Sequence, residues 1–336
     1  MLVNPWSLAL CLLAGLSLFL LGMASKTALR VMRSWQPASD SARQIGLEAE
    51  IWLSSTLVQY GLAFQVISLF LFVLAADHFS GMLAGAMCAT GSLLANDYGL
   101  PLLAVKGTGI FLYGGWIVFH QLDISSETYP LVRFKYILLL CLLPFVVADA
   151  VLLILYLTAL QPDIITSCCA IIFDAAPSGT VQNLVGGRHG QGLLLLHYGW
   201  AALLFAAGLV AWRRRQAFFY LLYGVGMLLF FGLALTTLVA EISSYIYAMP
   251  FHNCPFCMLK KEYGYFGFLL YIPLFFSVFC GVMAMVVELV KSRPGLGRRV
   301  AELQRVMVAV SLGALLLYST LSAWHYLLYL VAGGEG

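Results

Sequence analysis

The sequence predicts an all-α integral membrane protein, a bundle of about eight transmembrane helices, and three observations carry that prediction. Of the 336 residues, 62% are hydrophobic and only 10% charged, with a mean hydropathy of +0.93. A water-soluble fold of this length has no interior large enough to hide that much apolar surface. The apolar residues also fall into runs near the ~20 residues that a bilayer requires. Finally, lysines and arginines gather on alternate connections between those runs, the pattern by which membrane helices take their orientation. The net charge of +3 says little by itself, and no long basic or acidic run points to nucleic acid.

The first run, Trp6–Met23, has no Lys or Arg before it, whereas Lys26, Arg30, Arg33 and Arg43 follow it. This favours an uncleaved first helix with its N-terminus outside, over a secretion signal. Further spans are expected at Ile51–Ala75, Leu100–Phe119, Tyr136–Leu160, Gly192–Trp212, Ala217–Ala240, Gly264–Leu289 and Val306–Val331. Counted from outside, the inner connections then hold Arg133 and Lys135, Arg213–Arg215, and Lys291, Arg293, Arg298, Arg299 and Arg305. Only Lys106, Arg188, Lys260 and Lys261 are left for the outer face. Both termini are therefore expected outside. The chain divides into an N-terminal four-helix half (1–160), an outer loop (161–191) and a C-terminal four-helix half (192–336). A faint 4+4 internal repeat runs through these halves: Cys88 followed by Asp97-Tyr98-Gly99 echoes Cys254 and Cys257 followed by Glu262-Tyr263-Gly264.

This topology collects five of the eight cysteines on the outer side: Cys88, Cys168, Cys169, Cys254 and Cys257. Cys11, Cys141 and Cys280 fall within spans, where a thiol packs as a small hydrophobe. The segment His252-Asn253-Cys254-Pro255-Phe256-Cys257-Met258 holds a CxxC just before an apolar run. Its two sulfurs can cycle between dithiol and disulfide or clamp a soft metal. A helix N-terminus and the cations Lys260 and Lys261 favour thiolate there, although lysines at an interface also snorkel toward headgroups. Tyr263, Tyr265 and Phe268 begin an aromatic wall suited to a quinone ring, and equally to an interfacial belt. Adjacent Cys168 and Cys169 can exchange with a neighbouring thiol pair or bind a thiophilic metal. Their loop, rich in Gly and Pro, is suited to bring one pair to the other.

The run Cys254-Pro-Phe-Cys257-Met-Leu-Lys-Lys261 resembles the CxxC of the bacterial disulfide-generating membrane oxidases, with Lys261 at the position of a basic residue beside the quinone. The order of parts from the fourth to the seventh span also resembles the vitamin K epoxide reductase family. The resemblance implies that Cys168 and Cys169 exchange with an extracytoplasmic, thioredoxin-like thiol partner and that Cys254 and Cys257 deliver electrons to quinone. It covers about half of the chain, and the vicinal arrangement of Cys168 and Cys169 departs from the family pattern.

Two other readings stand beside it. Met249, His252, Cys254, Cys257 and Met258 form a run of soft donors suited to Cu(I), which would make the chain a copper-handling membrane protein. A structural or haem-carrying subunit of a respiratory complex is the third reading, with His197 and His325 as axial ligands; haem b has the least support. Asp149, near the middle of the fourth span, is a functional candidate because charge in lipid is costly. It either relays protons to a reduced quinone or makes a structural hydrogen bond. His78, His120 and His189 fall at span ends or in loops, where solvation explains them. The expected setting is a bacterial-type inner membrane, in contact with lipid, with the cysteine loops on the extracytoplasmic side.

Overall fold

A computed structural model describes residues 3–36, 41–126, 128–161, 189–249 and 252–331. It is all-helical, with no strand among the described residues. Eight helices there are long and apolar enough to cross a membrane. In chain order the helices are α1 (Pro5–Ser34), α2 (Ala42–Ser80), the short α3 (Ala89–Leu93), α4 (Gly99–Ile124) and α5 (Val132–Ala159). They continue as α6 (His189–Arg214), α7 (Ala217–Thr237), the short α8 (Ser243–Tyr247), α9 (Phe266–Val286) and α10 (Gly297–Val331). Two compact units emerge. Unit 1 comprises Met1–Thr166 with Arg293–Arg299, and unit 2 comprises Ser167–Ser292 with Val300–Gly336.

In unit 1, α1 starts where the Asn4 side chain accepts the Trp6 N–H at 3.0 Å, with Pro5 in the first turn. The residues it buries are Ser7, Leu10, Ala14, Ser17, Leu21, Ala24, Ala28 and Val31. Alternating steps of three and four make this a heptad seam. Its small members let α1 lie close to α2 and α5, the close packing by which helices associate in lipid. The same stepping runs the length of α2, through Leu47, Ile51, Ser54, Val58, Gly61, Gln65, Ser68, Phe72, Ala75 and Phe79. A Cβ on Gly61 would sit 3.4 Å from Leu21 Cγ, which shows how closely the two seams meet.

Helices α4 and α5 are joined by two buried ion pairs. Lys106 Nζ lies 3.0 Å from Asp149 Oδ2, and Lys135 Nζ lies 2.7 Å from Asp123 Oδ2. Each helix carries one lysine and one aspartate, so the two pairs set an antiparallel register. Three expectations change here. Lys106 is not an outer-face cation: it is buried within α4, because a lysine in hydrocarbon is tolerated only with a partner, and Asp149 is that partner. Lys135 lies in the first turn of α5 and is buried, rather than being a surface cation of a connection. His120 is not a solvated span end but is buried, stacked on Trp116 at 5.3 Å with Lys135 Nζ 3.4 Å from its Nδ1.

In unit 2, α9 and α10 are tied by a reciprocal serine pair. Ser277 Oγ donates to the Ser311 carbonyl at 2.9 Å and Ser311 Oγ to the Ser277 carbonyl at 2.7 Å. With the Ser311 proton committed, the Tyr223 hydroxyl 2.8 Å away is the donor to Ser311 Oγ, which brings in α7. Glycines admit these close crossings: a Cβ on Gly281 would fall 2.8 Å from Met227 Cγ and 3.2 Å from Ser311 Oγ. Toward its end α7 widens into a π-helical turn, Leu238–Ile242, and α8 closes at Ala248 with a left-handed φ of 52°. This exit directs the chain into the cysteine loop.

Replacing Ser311 with Val removes the shared hydroxyl and leaves the buried Tyr223 phenol without its acceptor. The expected loss of stability is about 1–3 kcal/mol. Reversible unfolding in detergent measures it, and Thr in place of Val should restore most of the loss.

Candidate functional site

The site in unit 2 is the loop between α8 and α9. Cys254 and Cys257 are 1% and 8% exposed, with sulfurs within 4.8 Å of each other. The loop is held from two sides. The Tyr247 hydroxyl donates to the Cys254 carbonyl and accepts the Met258 N–H at 2.9 Å, so one phenol brackets the CxxC. From α9, the Tyr271 hydroxyl donates to the Pro255 carbonyl at 2.9 Å. The Tyr247 ring is also flanked edge-on by His252 and Tyr263, each with centroids 4.7 Å away. Met258 is fully buried, and a Cβ on Gly267 would lie 2.6 Å from its Cγ, so the glycine makes room for the thioether.

The expectation that the pair opens a long helix needs correction. Cys257 begins only a three-residue 3-10 turn, Cys257–Leu259; a second, Lys261–Tyr263, follows, and α9 starts at Phe266. The intervening Gly264 and Tyr265 are left-handed, with φ of 60° and 56°. A helix dipole fades within about one turn, so α9 contributes little to thiolate formation at Cys257.

The remaining predicted residues fall around this loop unevenly. Tyr263 is half-buried, and burial first, then the Cys257 sulfur, pushes its phenol above the ordinary value. It therefore stays a neutral donor within electrostatic reach of the thiols. Tyr265 is exposed and lies 6.5 Å from half-buried Phe268 by ring centroids, apart from the Tyr247 cluster. Lys261 is exposed at the start of the second 3-10 turn. His252 is half-buried, whereas Met249 is 48% exposed. Cys168 and Cys169 lie outside the described residues.

Asp149 belongs to unit 1, paired with Lys106. Cys88 is also in unit 1, buried at the N-terminus of α3. His197 is buried among the rings of Tyr198, Phe230 and Tyr318, with centroids 4.9, 5.2 and 5.7 Å away. His325 instead meets Phe266 at 4.7 Å. Each histidine thus has its own aromatic surroundings.

Sequence reasoning missed Tyr247, and counted Tyr271 only as one ring of the aromatic wall that follows the CxxC. Neither carries a motif, and their roles depend on two hydroxyls reaching backbone atoms of a loop. Clustered tyrosines on both sides of a CxxC are the one signal that could have suggested them.

Tyr247→Phe removes both bracketing bonds while keeping the ring. Each lost bond to a buried group is worth about 1–3 kcal/mol, so alkylation of Cys254 and Cys257 is expected to accelerate at least ~10-fold, ~1.4 kcal/mol being a factor of ten. Stopped-time maleimide labelling read by mass spectrometry measures this; an unchanged rate means the clamp does not order the loop.

No family model, no characterised protein and no solved structure matches this chain.

Proposed function

We propose that the chain is a membrane thiol–disulfide oxidoreductase that exchanges electrons between an extracytoplasmic thiol partner and a membrane quinone. The observation supporting this reading is the pair of buried sulfurs within 4.8 Å of each other, on a loop clamped by two tyrosines at the head of a membrane-spanning helix. A disulfide requires an S–S distance near ~2.05 Å, so modest side-chain rotation is enough to close the ring. In the oxidising half-reaction both thiols are lost as one disulfide, and their two electrons and two protons convert quinone to quinol. A thiolate of Cys168 or Cys169 then attacks the disulfide at Cys257, the more exposed sulfur, forming a mixed disulfide and releasing Cys254 as thiolate. The other thiol of Cys168/Cys169 resolves the mixed disulfide, leaving Cys254 and Cys257 reduced and passing the disulfide outward, where exchange with the partner's two thiols oxidises the partner.

In this reading Cys168 and Cys169 shuttle between the partner and the buried pair, since burial denies a protein partner direct access. Tyr263, Tyr265 and Phe268 hold the quinone ring, and Lys261 stabilises negative charge on it. The eight candidate membrane helices among the described residues support a reading with both termini on one side, and the positive-inside pattern supports taking that side as extracytoplasmic in a bacterial-type inner membrane.

A second reading is favoured by one specific observation. Cys254, Cys257 and Met258 are all buried within five residues, offering two thiols and a thioether shielded from water. Such a donor set suits Cu(I), with His252 as a further ligand, and describes a copper-handling membrane protein.

Differential thiol trapping of the purified full chain, before and after a water-soluble benzoquinone analogue, separates the two. The oxidoreductase reading expects Cys254 and Cys257 to pass from alkylatable to disulfide-linked on adding quinone, with quinol formed in equal amount, and Cys257→Ser to abolish both. Thiols that ignore quinone and become alkylatable only after a Cu(I) chelator would replace it with the metal reading.

A further inference from the structure

We propose that Lys106 and Asp149 form a proton-exchange site inside the membrane, a function of unit 1 independent of the thiol chemistry. The two side chains are 2% and 1% exposed. Lys106 lies seven residues past Gly99 and Asp149 ten before Ala159. At ~1.5 Å per residue that is ~10 and ~15 Å from the helix ends, within the hydrocarbon of a bilayer core about 30 Å thick. From α2, Ser68 Oγ lies 2.9 Å from Lys106 Nζ, Gln65 Oε1 lies 3.4 Å from Ser68 Oγ, and the Phe72 ring centroid is 5.9 Å from the ammonium. On α4, Tyr113 lies two turns from Lys106 on the same face and packs its ring against Phe145, one turn from Asp149, at 6.1 Å. A Cβ on Gly109 would fall 2.5 Å from that ring, so the glycine seats the phenol there. Lys106, Asp149 and Tyr113 are titratable members of the cluster, as is Tyr156 of α5, which packs on the Phe72 ring at 5.5 Å and donates its hydroxyl to the Ser92 carbonyl at 3.3 Å; α1 and α3 bury no charged residue.

What separates this pair from a brace is the polar capacity left over. A buried ion pair that only holds helices together is stable when its remaining atoms are bonded. The second pair comes closer to that condition, since both carboxylate oxygens have a contact: Asp123 Oδ1 accepts the Leu131 N–H at 2.7 Å, and Oδ2, which makes no regular hydrogen bond, still lies 2.7 Å from the Lys135 ammonium. Around Lys106 and Asp149 it is not met. Asp149 Oδ1, the Tyr113 hydroxyl and Gln65 Nε2 are all buried and have no hydrogen-bond partner among the described residues. An acceptor on α5, a hydroxyl on α4 and a donor on α2, all left over on the helices that supply this pair and its Ser68 partner, are what one or two exchanging waters bind. The exchange balances without a co-reactant: the ammonium passes a proton to the carboxylate, giving amine and carboxylic acid. The acid then exchanges that proton with water held by Tyr113 and Gln65.

Infrared difference spectroscopy on the full chain in nanodiscs, titrated through neutral pH, tests this. The expected result is a protonated-carboxyl band that grows as pH falls, is missing in Asp149→Asn and persists in Asp123→Asn. Lys106→Met should show the band at every pH, because a carboxylate without its cation takes up a proton in lipid. If Asp149→Asn does not fold, the uncharged pair Lys106→Met/Asp149→Leu serves for the assignment. No pH-dependent carboxyl band in the unaltered chain, or one that survives removal of Asp149, would overturn the proposal and leave the pair a structural brace.

Discussion

In hydrocarbon no water satisfies a polar group, so every charge, hydroxyl and backbone amide in a span must find its partner inside the protein. Much of this structure follows from that constraint. It pairs Lys106 with Asp149 and Lys135 with Asp123, and those pairs fix the register of α4 against α5. Elsewhere it joins Ser277 to Ser311 and turns the Tyr223 phenol onto the same hydroxyl. It is relaxed at several buried atoms, among them the Tyr318 hydroxyl, both His197 nitrogens and Asp149 Oδ1; of those named, Asp149 Oδ1 is the one beside a buried cation, where we place proton exchange.

The cysteine loop obeys the same constraint at a span end. Between α8 and α9 the backbone is irregular, with left-handed residues at Ala248, Gly264 and Tyr265. The amides and carbonyls of the CxxC turn therefore need side-chain partners, and the hydroxyls of Tyr247 and Tyr271 supply them. This is what gives a short irregular loop the order that paired thiols need, whether they close a disulfide or hold a soft metal.

The legible part of the fold was whatever depends on local composition. Expected spans such as Gly192–Trp212 and Gly264–Leu289 differ from helices Gly192–Arg214 and Phe266–Val290 by only a few residues. The largest difference is at α2, expected over Ile51–Ala75 but running from Ala42 to Ser80. Its first turns carry Arg43, Glu48 and Glu50, which hydropathy rejects. A Ser41 cap and the Arg30–Glu50 ion pair at 2.6 Å accommodate them. Charge counting misplaced Lys106 for a related reason. The positive-inside pattern treats every lysine as a surface group and has no term for one neutralised by an aspartate forty-three residues away.

The sequence by itself determined that this chain is helical and membrane-spanning, because hydropathy over ~20 residues is a local quantity and lipid reads it directly. It also singled out Cys254, Cys257 and Asp149, since a CxxC and an intramembrane carboxylate are visible in one dimension. Only the tertiary structure decided their surroundings: that Asp149 faces Lys106 across two helices, and that Tyr247 brackets the cysteine turn. Those choices depend on which faces of distant segments meet, and residue spacing along the chain carries no information about that.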